Sequence, residues 1–354
     1  SNGIKVNTGA SNRIGSTTMS GNISLTADLI DLEGGGALTV QSSGDLQIKP
    51  NSGTATIGIG DGAVGTLNLN AVEIGRLVNG FSSITIGHIT GGGSAIDVRT
   101  QAFTDPLAIR APQAGASITV NGALSTGSGT SAGSITLQAG DNITLADSTS
   151  ITTQSQTITL NSDADRLANG YISLGTSAAI ASNGGAITLG GGTDASTGFA
   201  VSGTANQSGV LLGTSASIAS AGGNVIVNGR ASAAGLNSGI FLNPSSSINS
   251  AAGSMTLTGQ ATSTTTNNFN NGVSLNGGAL SATTGAISVT GMTSAASVAG
   301  ATGIELSGLG AVGKAITTTT GACTLNCSAS TNVGASGTHA GVALHDGFAV
   351  DTAD

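Results

Sequence analysis

Tryptophan is missing from this chain of 354 residues, tyrosine occurs once and phenylalanine six times. Charged residues make up only 7%, against about 25% in an ordinary globular chain, so an enzyme-like core of aromatic anchors and helices does not fit. The nine Lys and Arg residues are scattered from Lys5 to Lys314, and the net charge is −8. With no basic patch to neutralise a phosphate backbone, nucleic acid is not an expected partner. No run of about eighteen apolar residues occurs, which argues against membrane insertion as a helix. Ser1 stands where an initiator Met would, and no signal peptide is visible, so the sequence reads as a processed product or a fragment.

What is abundant is glycine, with 58 residues, alongside Ser, Thr, Ala and Asn. Disorder goes with low hydrophobicity and high charge, whereas 38% of these residues are hydrophobic and the mean hydropathy is +0.26. The apolar residues also keep a fixed spacing. SGVLLGTSASIASAGGNVIVNG from Ser208 and SGIFLNPSSSINSAAGSMTLTG from Ser238 place their large apolar residues at matching offsets of 0, 2, 8, 15 and 17 from Val210 and Ile240. Ile143, Leu145, Ile151, Ile158 and Leu160 obey the same offsets, as do Ile172, Leu174, Ile180, Ile187 and Leu189. With one residue removed the pattern gives Val273, Leu275, Leu280, Ile287 and Val289. The copy from Ile304 keeps Leu306 and Val312 but reaches Cys323 and Leu325 four residues late.

Steps of two mean strands with alternate side chains on one face, and steps of seven or eight mean a strand plus a corner. Such a unit cannot bury its own apolar face, but coils stacked about 4.8 Å apart bury one another's. The expected fold is all-β: a single-stranded parallel β-helix (β-solenoid), right-handed, triangular in cross-section, with roughly thirty residues per coil. A β-sandwich of hairpins would not produce the fixed triple spacing. The expected core includes Ile143, Leu145, Ile172, Leu174, Val210, Leu212, Ile240, Leu242, Val273, Leu275, Ile304 and Leu306. Gly and Asn suit corners that need positive φ, and Asn-Gly at Asn79, Asn121, Asn169, Asn228, Asn271 and Asn276 is expected there.

One solenoid is expected throughout, with residues 1–134 forming less regular coils and 135–354 the regular repeats. In the first part Ile23, Leu25, Ile30, Leu32, Leu38 and Val40 nearly match the spacing. Paired residues continue at Leu46 to Ile48, Ile57 to Ile59 and Leu67 to Leu69. Residues 71–98 break the period, with a short helical turn expected at AVEIGRL. In the regular part, the return from the third strand to the next coil varies from 12 to 21 residues. Insertions therefore gather at one corner, as loops from Gly190, Thr258 and Ser328. Such a row reads either as a binding edge or as tolerated insertions.

GTATIGIGDGAVGTLNLNAVEIGRLVNGFSSITIG from Gly53, followed by DPLAIRAPQAGASITVNGAL and GSITLQAGDNITL, resembles the repetitive body of filamentous-haemagglutinin-like exoproteins of Gram-negative bacteria. That group includes two-partner-secreted adhesins. The resemblance covers most of the chain and is most specific between Gly53 and Leu145. It implies a right-handed β-helical protein, extracellular or displayed at the cell surface, acting as a stalk, an adhesin or matrix material. The family's amino-terminal secretion domain and any carboxy-terminal anchor do not occur in this sequence.

Residues able to do chemistry are few. Asp28, Asp31 and Glu33 lie close together, as do Asp163, Asp165 and Arg166, and both sets read as solvated corners. GIGDG at Gly58 is half of a calcium-binding nonapeptide and does not repeat. His88, His339 and His345 have no ligand pattern beyond Asp346 beside His345. No cofactor, metal or catalytic residue is expected, and the chain does not read as an enzyme. Asn22, Asn142, Asn206 and Asn326 head glycosylation sequons that chance alone would supply in so Ser- and Thr-rich a chain. Cys323 and Cys327, the only cysteines, suggest a disulfide in an exported protein, the alternative being two buried thiols. On one extended strand they would stand about 13 Å apart, so a bridge requires a corner between them.

After Leu325 the pattern restarts at Val342, Leu344 and Val350 without its third strand, leaving an uncapped coil. The expected function is that of a structural extracellular β-solenoid, an adhesin shaft or a self-assembling head-to-tail filament subunit. Its partners would be further copies of itself, stacked end to end, or adjoining segments of a longer chain, with host or surface glycans as a further partner. The alternative is a carbohydrate- or ice-binding solenoid, motivated by TSTTTNN and ITTTT. A polysaccharide lyase ranks last because no acid and base stand out.

Overall fold

The computed structural model of the chain describes residues 3–6, 12–33, 39–127, 132–232, 238–262, 270–293, 301–308, 314–328, 340–345 and 349–352. Three long sheets of eleven, nine and twelve strands dominate, and every strand pairing in them is parallel. The chain visits them in turn. In the coil that begins at Ile143 the first face takes Ile143–Leu145, the second Ser150–Thr152 and the third Ile158–Ser162. The protein is therefore a parallel β-solenoid.

The register turns the sequence offsets into columns of like residues. On the first face Ile143, Ile172, Val210, Ile240, Val273 and Ile304 follow one another coil by coil, beside Leu145, Leu174, Leu212, Leu242, Leu275 and Leu306. All twelve are at most 2% exposed. Ile151, Ile180, Ile218, Ile248, Leu280 and Ile316 form the second-face column. Ile316, rather than Val312, takes the place after Leu280. The four extra residues of that coil thus precede the second face, and the following step to Cys323 has the ordinary length. Val312 itself, like Leu38, lies outside the described residues.

The N-terminal coils enter the pattern at a different face from the one the spacing implies. Ile23 and Leu25 belong to the third face, where they pair with Leu46 and Ile48, while Ile30 pairs with Ile4. Ile57–Ile59 then joins the first face, and Leu67–Leu69 pairs with it on the other side from Ile96–Val98. Residues 60–66, GDGAVGT, form the loop that brings the chain round so that the second strand runs parallel to the first. The expected helical turn is Ala71–Ile74. Asn70 caps it by accepting from the Glu73 N–H at 3.0 Å, and the Glu73 carboxylate accepts from the N–H of Asn70 at 3.0 Å and of Leu32 at 3.1 Å.

At the first corner the positive φ is carried mainly by serine. Ser148, Ser177, Ser215 and Ser245 have φ of 57°, 57°, 58° and 61°, and Gly277 follows at 75°. Each serine N–H donates to a carbonyl of the next coil, at Thr176, Thr214, Pro244 and Gly277, over 2.8 to 3.0 Å. That stacked bond offsets the cost, about 1 kcal/mol, of a left-handed residue with a Cβ. At the second corner buried hydroxyls of Thr153, Ser182, Ser220 and Thr318 donate to the carbonyls of Gln156, Gly185, Gly223 and Gly321. Small hydroxyl residues thus tie the turns from within.

Candidate functional site

The corner where insertions gather is built on glycine that avoids neighbouring backbone rather than on glycine that turns. Third-face strands Val225–Ala231, Met255–Ala261 and Ile287–Thr293 run past the corner. First-face strands Ser238–Leu242, Asn271–Asn276 and Thr302–Ser307 begin before it. The overhanging parts lie against each other. A Cβ on Gly229, Gly259 or Gly291 would overlap the carbonyl of Gly239, Gly272 or Gly303. None of these six glycines has positive φ. The Asn228 and Asn271 dipeptides therefore sit inside strands, not at corners, because the two backbones approach too closely for any side chain.

The insertion from Gly190 packs against this flange. Ala200–Ser202 pairs with Gly229, Arg230 and Ala231, and the Arg230 guanidinium lies 5.7 Å from the centre of the Phe199 ring. The Asn228 amide donates to the carbonyls of Ala195 and Ser196 at 3.0 Å. Half of the loop from Thr258 and nearly all of that from Ser328 lie outside the described residues.

The outward side of the third face carries a feature that the loop-centred reading missed. Thr136, Thr159, Thr188, Ile226, Thr256, Ser288 and Thr324 form one column, each beside its partner in the next coil. The signal was present in the recurring Ile-Thr-Leu triplets, where Thr sits between two inward residues. The neighbouring positions are mixed and partly covered: Gln138, Asn161 and Gly190 follow one another, as do Asn228, Thr258 and Thr290, with Asn161 and Asn228 buried. TSTTTNN lies almost wholly outside the described residues, whereas ITTTT runs through the second-face strand Lys314–Thr318 into the following turn.

The acidic clusters hold turns together. Asp28 accepts from the Ser52 N–H at 2.8 Å, Asp31 pairs with Lys5 at 3.2 Å, and Glu33 accepts from the Asn70 amide. Asp163 is 4% exposed rather than solvated, and one oxygen, Oδ1, accepts from the N–H groups of Ala168 at 2.8 Å and Asn169 at 3.3 Å. Burial pushes its carboxyl above the ordinary value of 3.8 despite those bonds. The folded protein therefore binds this proton more tightly than the unfolded chain, so the contribution of Asp163 to stability falls as pH rises from about 3.8 through the raised value. Asp163→Asn keeps the accepting oxygen. We expect it to flatten the decline in melting temperature across that interval, and an unchanged profile would count against the assignment.

Asp61 accepts from the Ala71 N–H at 2.9 Å, which employs the GIGDG aspartate in the loop of residues 60–66. Among the described residues no group of three His, Cys, Asp or Glu side chains could hold a metal ion. Burial, reinforced by Lys49, pushes His88 below its usual value. His345 lies 3.9 Å from Glu305, and His339 and Asp346 lie outside the described residues. Asn22 and Asn142 accept from the N–H groups of Asp45 and Tyr171, at 2.9 and 3.1 Å. Asn326 lies on a third-face strand.

The suggested disulfide is not formed. Cys323 and Cys327 are free, and both lie on the one strand Cys323–Ser328, with no corner between them. Each takes a place in a ladder instead. Cys323 continues the inward column after Ile287, and burial pushes its thiol up. Cys327 follows Gly291 in the flange, and its Cβ and Sγ pack against Gly303 and Gly341.

Comparison with protein-family models, curated proteins and solved structures gives no match. The class is defined by the fold: a repeat protein of the parallel β-solenoid type, with one edge carrying insertions.

Proposed function

We propose that this chain is a structural segment of an extracellular or cell-surface protein, a stiff shaft or head-to-tail filament subunit of the filamentous-haemagglutinin-like kind, winding right-handed. The observation that carries this reading is the unbroken stacking of like residues, which gives a core extended along one axis and maintained by backbone ladders. The clustered carboxylates are engaged by backbone N–H groups, by Lys5 and by the Asn70 amide, which supports a mechanical rather than a catalytic role. In the last described coil the inward-register residues Val342, Leu344 and Val350 are 36, 58 and 37% exposed. A further coil, from a second copy or from adjoining segments of a longer chain, would cover them.

Electron microscopy of the native extracellular material, with mass spectrometry of the chain's ends, tests this. Eleven coils at about 4.8 Å span roughly 50 Å, so the expected particles are fibres or rods well beyond that length. Uniform particles no longer than one chain would overturn the shaft reading. A second reading, an ice- or carbohydrate-binding face, is favoured by the third-face Thr column. That column is interrupted by Ile226 and has an irregular neighbour, which ranks this reading second. Freezing hysteresis in solution would bring the ice-binding form forward.

A further inference from the structure

We propose that a hollow on the outward side of the first face binds a neutral sugar ring of a glycan. The hollow has a volume of about 300 Å³, at the lower bound of small-molecule sites, and suits one ring rather than an extended ligand. Phe241, Ser274 and Glu305 follow one another in register across three coils and line it. Successive coils lie about 4.8 Å apart, so Phe241 and Glu305 stand roughly 10 Å from each other at the backbone, with Ser274 between them. Ser274 is 1% exposed and forms the floor.

The Glu305 carboxylate is drawn back over that floor. Its Oε2 accepts from Ser274 Oγ at 3.1 Å and from the Asn271 amide, whose own oxygen accepts from the Thr302 N–H at 3.0 Å. Its Oε1 faces His345 Nε2 at 3.9 Å. Between Ala231 and His345 the only acidic or basic residues other than histidine are Glu305 and Lys314. The corresponding positions on earlier coils hold Thr144 and Ser173, so the fold does not need a carboxylate here. Partly burying one in so uncharged a stretch costs stability, and the hydrogen bonds hold it where it lines the hollow.

The other lining groups decide the chemistry. Asn276 and Ser307 add an amide and a hydroxyl, so one aromatic ring is surrounded by neutral groups that both donate and accept. A pyranose presents a C–H face for the ring and hydroxyls for the rim. A wholly apolar ligand would leave the polar rim unsatisfied, and an anion would be repelled by Glu305. This inference stands independently of the shaft reading: it gives the surface of the solenoid a ligand, whatever its assembly.

The test is calorimetric or NMR titration of the full chain with glucose, galactose, mannose, N-acetylglucosamine and their disaccharides, up to about 10 mM. At least one is expected to bind saturably, with Phe241→Ala and Glu305→Gln each weakening it roughly tenfold or more. Phe241→Leu keeps apolar bulk without the ring and is expected to weaken binding likewise, which separates stacking from packing. Thr159→Ala, on the third face, is expected to bind as the parent does. Absence of binding across the panel, binding indifferent to the Phe241 and Glu305 variants, or preference for tetramethylammonium over every sugar would each overturn the proposal.

Discussion

Gly259→Val is expected to destabilise the protein by about 3 kcal/mol or more, read as a lowered midpoint of urea unfolding. Gly259 lies in register between Gly229 and Gly291 on the third face. A Cβ there overlaps the Gly272 carbonyl oxygen and comes within 2.7 Å of the Gly272 carbonyl carbon and of Val273 Cγ2. Two of these three obstacles are backbone, so no rotamer change relieves them and the two strands must separate. Separation breaks a contact that Gly229 with Gly239 and Gly291 with Gly303 repeat in the adjoining coils, so the strain does not stay in one coil. Gly53→Ala is the control, because a Cβ there meets nothing within 4 Å. It is expected to change stability by no more than about 0.5 kcal/mol. Equal midpoints for the two variants would show that the flange is not the close backbone contact described.

Leu212→Ala is the second large effect, an expected loss of about 2–5 kcal/mol. Leu212 is completely buried and lies in register between Leu174 and Leu242. Truncation leaves a cavity that the neighbours cannot fill, since each is fixed in its own ladder. Its neighbour Leu211 points outward and is half-buried, so Leu211→Ala is expected to cost less than about 1 kcal/mol. In a quasi-one-dimensional fold the damage should be local, with amide exchange accelerating first in the coils around residues 174, 212 and 242. Equal losses for the two leucines would contradict the assignment of inward and outward faces.

Much of the fold was legible because a period-two strand and a fixed step between strands leave few solutions. Ile143, Ile172, Val210 and Ile240 follow one another in space as they do at equal offsets in sequence. The short helix was legible too, as a turn in AVEIGRL where the period breaks, and the structure adds the capping box of Asn70 and Glu73. Offsets failed where residues were inserted. With extra residues between Leu306 and Cys323, spacing alone selected Val312, and only pairing with Leu280 identified Ile316. The phase of the first coils failed similarly, because Ile23 and Leu25 carry no mark of the face they occupy.

The candidate sites were less legible, because stacking brings together residues that lie a whole coil apart in sequence. The Thr column was readable in the triplets, yet the eye goes to runs such as ITTTT. Phe241, Ser274 and Glu305 come from three coils, 31 to 33 residues apart, and no local motif joins them.

By itself the sequence determined that this chain is all-β, coiled and stacked, because its apolar residues have no other way to leave water together. It also determined where insertions gather, since the return from the third strand to the next coil varies in every repeat while the other regular corners change length only before Leu280 and Ile316. The tertiary structure alone decided which glycines turn the chain and which admit a neighbouring backbone, because that depends on what faces the missing Cβ. It decided as well that the two cysteines remain apart, because the strand between them runs straight and a four-residue step along it is longer than a disulfide can span.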